Sequence, residues 1–107
     1  MIYSLEEIAR RVRPIAEQYR LRAVYVFGSY ARGEADEDSD IDFLVDTSGS
    51  GLSGFAYGGL YSDLEEAMEK PIDMVIVSAL EQPCQHKSEV DFRQAIQRER
   101  REVYVAA

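Results

Sequence analysis

The sequence predicts an α+β fold in which a small mixed β-sheet is covered by helices. Three observations support this prediction: short apolar runs of strand length, longer segments with apolar residues at helical spacing, and a chain of 107 residues. The strand-like runs are residues 22–27, 41–46 and 72–77. The helical segments are residues 4–19, residues 57–70, and a last one that begins between residues 82 and 88 and ends near residue 100. The length leads us to expect a single domain, residues 1–107, with a modest core.

The first helix is predicted from a capping box at its start. Ser4 is followed three residues later by Glu7, and apolar residues then continue at helical spacing. These apolar residues are Leu5, Ile8, Val12, Ile15, Ala16 and Tyr19. Pro14 lies inside the pattern, and a proline removes one backbone N–H donor from a helix interior. We therefore expect the helix to kink or divide near residues 10–13.

The middle of the chain is predicted to contain a loop and then a second helix. Residues 47–59 are rich in Gly and Ser, which predicts a mobile segment. Apolar residues at helical spacing follow this segment, and Pro71 should stop their helix near Lys70. Those apolar residues are Leu60, Leu64, Ala67 and Met68. After the last helix, residues 103–105 can add a short final strand.

Paired carboxylates stand at the start of the second strand. Gly28 and Ser29 end the first strand-like run, and Asp40 and Asp42 open the second. Because side chains alternate faces along a strand, these two carboxylates point the same way. Oxygen ligands at this spacing suit Mg²⁺ or Mn²⁺ rather than zinc. A small-residue turn that exposes N–H groups to phosphate, beside such a pair, indicates nucleoside triphosphate chemistry.

A third carboxylate, Asp73, begins the third strand-like run. If Gly28 and Asp40 serve one site, the first two strands must be antiparallel, since one ends and the other begins there. The third strand must then run parallel to the second, with the helix over residues 57–70 as the crossover.

These residues resemble the signature of the DNA polymerase β-type nucleotidyltransferase superfamily. The signature consists of Gly-Ser at 28–29, ten intervening residues and Asp-Ile-Asp at 40–42. The fuller string Phe-Gly-Ser-Tyr-Ala-Arg-Gly at 27–33 is similar to the smallest branch, the minimal nucleotidyltransferases (MNT). Asp73 stands where a third carboxylate is expected. The resemblance spans nearly the whole chain and implies the nucleotidyltransferase fold.

The resemblance implies that Gly28 and Ser29 bind the β- and γ-phosphates of ATP, through the serine hydroxyl and nearby N–H groups. Ser29 taken alone could instead cap a short helix. Arg32 is predicted to contact phosphate or to balance the acidic cluster nearby, although a surface helix residue is an equal interpretation.

The same resemblance implies that Asp40 and Asp42 bridge two Mg²⁺ ions, one on the triphosphate and one on the attacking oxygen. Asp73 would ligate the acceptor-side metal and help remove the proton of the acceptor hydroxyl. The alternatives are that Asp40 and Asp42 are strand acids facing water and that Asp73 is a turn residue.

Members of the MNT branch are commonly antitoxins paired with a HEPN-domain ribonuclease toxin. The resemblance therefore implies a protein adenylyltransferase (AMPylation) that moves AMP from ATP to a tyrosine of its cognate HEPN toxin and neutralises it, within a hetero-oligomer of the two. Two alternatives stay open. The chain can be an antitoxin that binds and occludes the toxin without required catalysis, or a stand-alone nucleotidyltransferase acting on a small molecule or an RNA end.

The composition bounds the partners and the compartment. The net charge is −8, and residues 34–46 carry seven acids and no base. Such acidity argues against a long nucleic acid as acceptor, because phosphate backbones are held by basic surfaces. No apolar run approaches the ~20 residues of a membrane span. Cys84 is the only cysteine, which fits a reducing cytoplasm.

Overall fold

The computed structural model describes residues 2–107, which form a four-stranded mixed sheet with helices on both faces. The predicted α+β class is confirmed. In chain order the elements are α1 (Leu5–Gln18), β1 (Ala23–Phe27), α2 (Gly28–Arg32), β2 (Ile41–Asp46), α3 (Phe55–Met68), β3 (Ile72–Ile76), a 3₁₀ helix (Val77–Glu81), α4 (Lys87–Glu99) and β4 (Arg101–Val105).

The strand order in the sheet is β3-β2-β1-β4. β1 pairs antiparallel with β2 and with β4, whereas β2 pairs in parallel with β3. Both strand directions predicted from the carboxylate positions are therefore confirmed. The final strand is longer than predicted and completes the sheet beside β1. β2 lies between β1 and β3, so both of its edges are paired.

The larger core lies on one face of the sheet, where α1 and α3 pack. Alternate strand residues point into it because strand side chains alternate faces. The strand members are Val24, Val26, Ile41, Phe43, Val45 and Ile72, and the helix members include Ile8, Val12, Leu60, Leu64 and Met68. Burial of each such side chain contributes roughly 1.5–3 kcal/mol. This face therefore supplies most of the packing and leaves the opposite face free for polar groups.

The opposite face carries a smaller core under α4. Phe27, Leu44 and Ile96 are buried there, and other apolar side chains pack partly against them. Asp42 precedes Leu44 by two residues, and Asp73 precedes partly buried Val75 by two. By strand alternation both carboxylates point to this face.

Pro14 does not divide α1, which runs unbroken over Leu5–Gln18. The predicted division was wrong. Pro14 is exposed, and so is Arg10, whose carbonyl lacks the N–H partner that a proline cannot supply. Water can bond to that carbonyl on the exposed side. Burial of Val12 and Ile15 on the other side of the helix offsets the lost hydrogen bond.

α3 begins at Phe55, so the end of the predicted loop 47–59 is helical and that part of the prediction was wrong. Gly59 lies inside this helix, where α1 comes close to it. A Cβ built on Gly59 would lie 3.1 Å from the hydroxyl oxygen of Tyr19, which in turn donates a hydrogen bond to Asp63 at 2.6 Å. The glycine thus lets α1 and α3 approach closely, and this tertiary contact outweighs the low helix propensity of glycine.

The helices of the described chain are short. α1 and α3 have 14 residues each. Over residues 2–107, no helix combines the length and the apolar character that crossing a membrane requires.

Candidate active site

Asp42 lies at the centre of the candidate site because its strand, β2, is central in the sheet. Its register partner on β1 is Phe27, and its partner on β3 is Asp73. Neighbouring strands lie roughly 4.8 Å apart, so the carboxylates of Asp42 and Asp73 adjoin on one face. Asp40 stands two residues before Asp42 and is exposed. The structure therefore brings the three predicted carboxylates to one end of β2 and β3.

Gly28 holds the turn after β1 tightly against Asp42. Its φ is +72°, a left-handed conformation in which any side chain is strained. A Cβ at this position would lie 2.1 Å from Oδ2 of Asp42, well inside van der Waals contact. Glycine is thus required both by the backbone and by the carboxylate. This contact places the start of α2 directly beside the acidic pair.

Ser29 is the second residue of α2 and lies beside Gly28 at the same end of the sheet. Phe27 occupies the N-cap position of this helix, so the alternative that Ser29 serves only as a cap is wrong. Its hydroxyl is left for another partner.

Arg32 links α2 to α4. Its Nη1 donates to both carboxylate oxygens of Glu99 at 3.1 Å, and its Nε donates to Glu34. These hydrogen bonds, first from Glu34 and then from Glu99, raise the pKa of Arg32, so the guanidinium is permanently charged. Arg32 therefore balances the charge of Glu34, a member of the acidic cluster. It also binds Glu99, which sequence analysis did not connect with the site.

Two cavities flank Asp42 on this face. The first, here the Ser29 cavity, has a volume of about 380 Å³. The second, here the Asp73 cavity, has a volume of about 280 Å³. The Ser29 cavity is lined by Phe27, Gly28, Ser29, Arg32, Asp42, Phe92, Ala95, Ile96 and Glu99. The Asp73 cavity is lined by Phe27, Asp42, Asp73, Met74, Val75 and Phe92. Asp42 belongs to both, so one carboxylate can serve ligands in each cavity.

The pKa of Asp42 is raised from 3.8 to about 6 in the metal-free protein. Burial is the largest cause, followed by the hydrogen bond and charge of Asp73 and by the charge of Asp40, while Arg32 lowers the pKa. Ionised Asp42 is therefore held in an environment that favours its neutral form. A bound cation would remove that penalty.

This raised pKa makes the stability of the metal-free protein depend on pH. Because the folded pKa exceeds the unfolded value, the folded state binds more protons between pH 4 and pH 6, and stability falls as pH rises through that window. From pH 4 to pH 7, the free energy of unfolding of the wild type should fall by on the order of 1 kcal/mol relative to that of Asp42→Asn. This value is smaller than the full pKa shift would give, because solvent screens the half-buried Asp42. Urea unfolding of both proteins at several pH values, in the presence of EDTA, measures this difference in the free energy of unfolding.

The control is Asp38→Asn, which removes an exposed carboxylate from the same acidic segment. Its stability relative to the wild type should change little over the same pH range. A parallel pH dependence of wild type and Asp42→Asn would contradict the interpretation.

The carboxylates fit magnesium as a pair rather than as a complete cage. Within residues 2–107, the structure gathers no group of three or more His, Cys, Asp or Glu side chains closely enough to hold a metal alone. Magnesium usually binds proteins through one or two carboxylates and completes its shell with substrate phosphates and water. Adjacent Asp42 and Asp73, with Asp40 nearby, match that donor chemistry.

Among the lining residues that sequence analysis did not assign to the site are Phe92 and Glu99. Both lie on α4, seven residues apart, which places them on one face of the helix. That spacing was visible in the sequence. The sequence contained no signal that this face of α4 packs across the carboxylate end of the sheet.

A glycine–serine turn held against adjoining carboxylates at the end of a mixed sheet is typical of enzymes that handle nucleoside triphosphates. A family model described as "Nucleotidyltransferase domain" matches residues 5–103. The chain belongs to this family and is a nucleotidyltransferase.

Proteins with similar sequences are named protein adenylyltransferases. A protein of Methanocaldococcus jannaschii, "Putative protein adenylyltransferase MJ1379", is 33% identical over 87 residues, which cover 79% of this chain and 87% of that protein. "Protein adenylyltransferase MntA" of Thermococcus cleftensis is 49% identical over 47 residues, 40% of this chain and 48% of that protein.

Solved structures share the fold. One described as a "putative minimal nucleotidyltransferase" is 32% identical, with a TM-score of 0.66 over 92% of this chain and 94% of the other. A toxin–antitoxin crystal structure with AMP-PNP is 21% identical, with a TM-score of 0.68 over 92% of this chain and 73% of the other. At that identity the second likeness shows the fold alone.

Proposed function

We propose that this chain is the antitoxin of a HEPN–MNT pair and transfers AMP from ATP to a tyrosine hydroxyl of its cognate HEPN toxin. The observation that carries the proposal is the register of Asp42 with Asp73 beside the close turn at Gly28. The relative named protein adenylyltransferase MntA and the fold shared with toxin–antitoxin structures support it.

The Ser29 cavity is the proposed site of the ATP triphosphate. The Ser29 hydroxyl and the N–H groups of the turn at Gly28 would donate to phosphate oxygens. Arg32 lines the same cavity and carries a permanent charge, so a bound triphosphate would share it with Glu34 and Glu99. Nucleotide binding is thereby expected to loosen the link between α2 and α4.

Asp40, Asp42 and Asp73 are the proposed holders of Mg²⁺. When bound, magnesium neutralises triphosphate charge and lowers the pKa of an adjacent hydroxyl. The chain supports this chemistry by concentrating carboxylates whose mutual repulsion a cation relieves.

Asp73 is the proposed acceptor of the tyrosine proton. The phenolic O–H bond breaks and its proton passes to the Asp73 carboxylate. The oxygen then forms a bond to the α-phosphorus of ATP, the bond from that phosphorus to its bridging oxygen breaks, and pyrophosphate leaves. Asp73 is exposed, so the proton can pass on to water.

The exposed edge of the sheet explains why a protein can be the acceptor. β3 is an edge strand, and Asp73 at its start is open to solvent. A toxin surface can therefore reach the carboxylates and form the proposed hetero-oligomer. We propose a cytoplasmic location, because ATP is the proposed donor and the free thiol of Cys84 fits a reducing compartment.

The test is incubation of the protein with α-labelled ATP, Mg²⁺ and the HEPN protein encoded beside it. Label on a tyrosine of that protein is the expected result, and the absence of label on any partner would contradict the proposal. The double variant Asp40→Asn, Asp42→Asn separates catalysis from occlusion. If cells carrying it still survive the toxin, neutralisation occurs by binding.

Magnesium with a non-hydrolysable ATP analogue should raise the melting temperature more than magnesium alone. The analogue supplies the phosphate oxygens that complete the metal shell, and ligands that bind only the folded state stabilise it by mass action. A thermal shift titration measures the effect. The Asp40→Asn, Asp42→Asn variant should show little metal-dependent gain, and equal stabilisation of both proteins would place the metal elsewhere.

A further inference from the structure

Phe92 lies between the two cavities that flank Asp42. Its ring lines both the Ser29 cavity and the Asp73 cavity. It packs edge to face on Phe27, with ring centroids 6.1 Å apart and planes at 79°. Phe27 is buried, whereas Phe92 is 52% exposed. The ring is therefore anchored on one side and open on another, although burying it fully would be more favourable for folding alone.

The lining of the Asp73 cavity is part apolar and part acidic. Three apolar side chains and two carboxylates line it, while the side chain of Met74 points to the opposite face and packs against the larger core. The apolar side chains are those of Phe27, Val75 and Phe92, and the carboxylates are those of Asp42 and Asp73. A molecule that binds in this cavity should therefore combine an apolar part with a group that can donate a proton to a carboxylate. A phenol satisfies both conditions, whereas a serine or threonine hydroxyl has no ring to cover the apolar walls.

We propose that Phe92 is the specificity-determining residue of this site, holding the acceptor tyrosine by contact between the two rings. The inference rests on the proposed function. The contact fixes the phenolic oxygen at Asp42 and Asp73, where its proton leaves and it bonds to the α-phosphorus as pyrophosphate departs. Phe92 also forms the wall between the acceptor and the nucleotide. Aromatic pairs gain enough beyond buried area to change affinity about tenfold.

Two short peptides test this assignment, one with tyrosine between flanking alanines and one with serine in its place, each with α-labelled ATP and Mg²⁺. The wild type should label the tyrosine peptide with a kcat/KM at least about tenfold higher than the serine peptide. Phe92→Leu keeps an apolar side chain without the ring. It should raise the KM for the tyrosine peptide about tenfold and the KM for ATP by a smaller factor, because Phe92 also lines the Ser29 cavity.

Phe55→Ala is the matched control, because Phe55 is a fully exposed phenylalanine on α3 and lines neither cavity. Its kinetics should equal those of the wild type. Phe92→Trp keeps a ring and should retain the preference for tyrosine. If Phe92→Leu melts early, Phe92→Met replaces it with a flexible apolar side chain of similar length and carries the same expectation.

The inference is overturned if the folded Phe92 variant without a ring keeps the wild-type KM for the tyrosine peptide. It is overturned too if the wild type labels the HEPN protein but does not prefer the tyrosine peptide over the serine peptide, and the proposed function then survives. If neither the peptides nor the HEPN protein is labelled, the proposed function itself is wrong, and this inference falls with it.

Discussion

Asp42→Asn is expected to lower the rate of AMP transfer by about 10³-fold or more. Asp42 borders both cavities and adjoins Asp73, so the amide removes negative charge where the metal and the reacting phosphate would meet. The metal-free protein should nevertheless be more stable at pH 7, by on the order of 1 kcal/mol, because burial and neighbouring carboxylates disfavour the ionised side chain.

Steady-state transfer with α-labelled ATP and urea unfolding in EDTA measure the two effects on the same preparation. Asp38→Asn, a change of equal charge at an exposed position, should leave both close to wild type. A loss of transfer together with a gain in stability is the informative result, since a misfolded variant would lose both. Unchanged transfer in Asp42→Asn would mean that the carboxylate pair has a structural role.

Gly28→Ala is expected to destabilise the protein by about 2–4 kcal/mol and to abolish transfer. The left-handed backbone accounts for about 1 kcal/mol, and the remainder comes from a methyl group 2.1 Å from Oδ2 of Asp42. To relieve that clash the turn must move away from β2. Such a movement would carry Ser29 away from the carboxylates, so the phosphate site would be lost together with stability.

Gly33→Ala is a control that the chain itself provides. Gly33 has a similar φ of +73°, but a Cβ there meets nothing within 4 Å. Its cost in the free energy of unfolding should be limited to about 1 kcal/mol, with transfer retained. Asp42→Ala removes the carboxylate and should partly restore the stability of Gly28→Ala. Equal losses for the two glycine variants would contradict the role given to the Asp42 contact.

Strand positions were predictable because they follow from local pattern, and strand directions because the carboxylates were expected to share one site. The bounds of β2 agree with the predicted residues 41–46, since its apolar run begins sharply after Asp40. The course of α1 through Pro14 was not predictable, because it depends on which side of the helix is exposed. The close approach of α1 to α3 at Gly59 likewise exists only in the tertiary structure.

The site divides in the same way. Asp42 and Asp73 stand at the starts of two strands and Asp40 just before one of them, so their meeting at one end of the sheet was predictable once one shared site was assumed. The contributions of Phe92 and Glu99 depend on how α4 crosses the sheet, and no local spacing encodes that placement. The raised pKa of Asp42 also required the structure, because burial is its largest cause.

The parallel pairing of β2 with β3 has a consequence for the order of folding. α3 lies between these strands in the chain, so their contacts join residues that are distant in sequence. Such contacts form late, because closing the loop costs entropy before strand pairing compensates it. Repulsion between the carboxylates of Asp42 and Asp73 also opposes the pairing of β2 with β3. A chain that has paired only β1 with β2 has no third carboxylate in place. The capacity to modify a target is therefore expected to arise only when folding is complete.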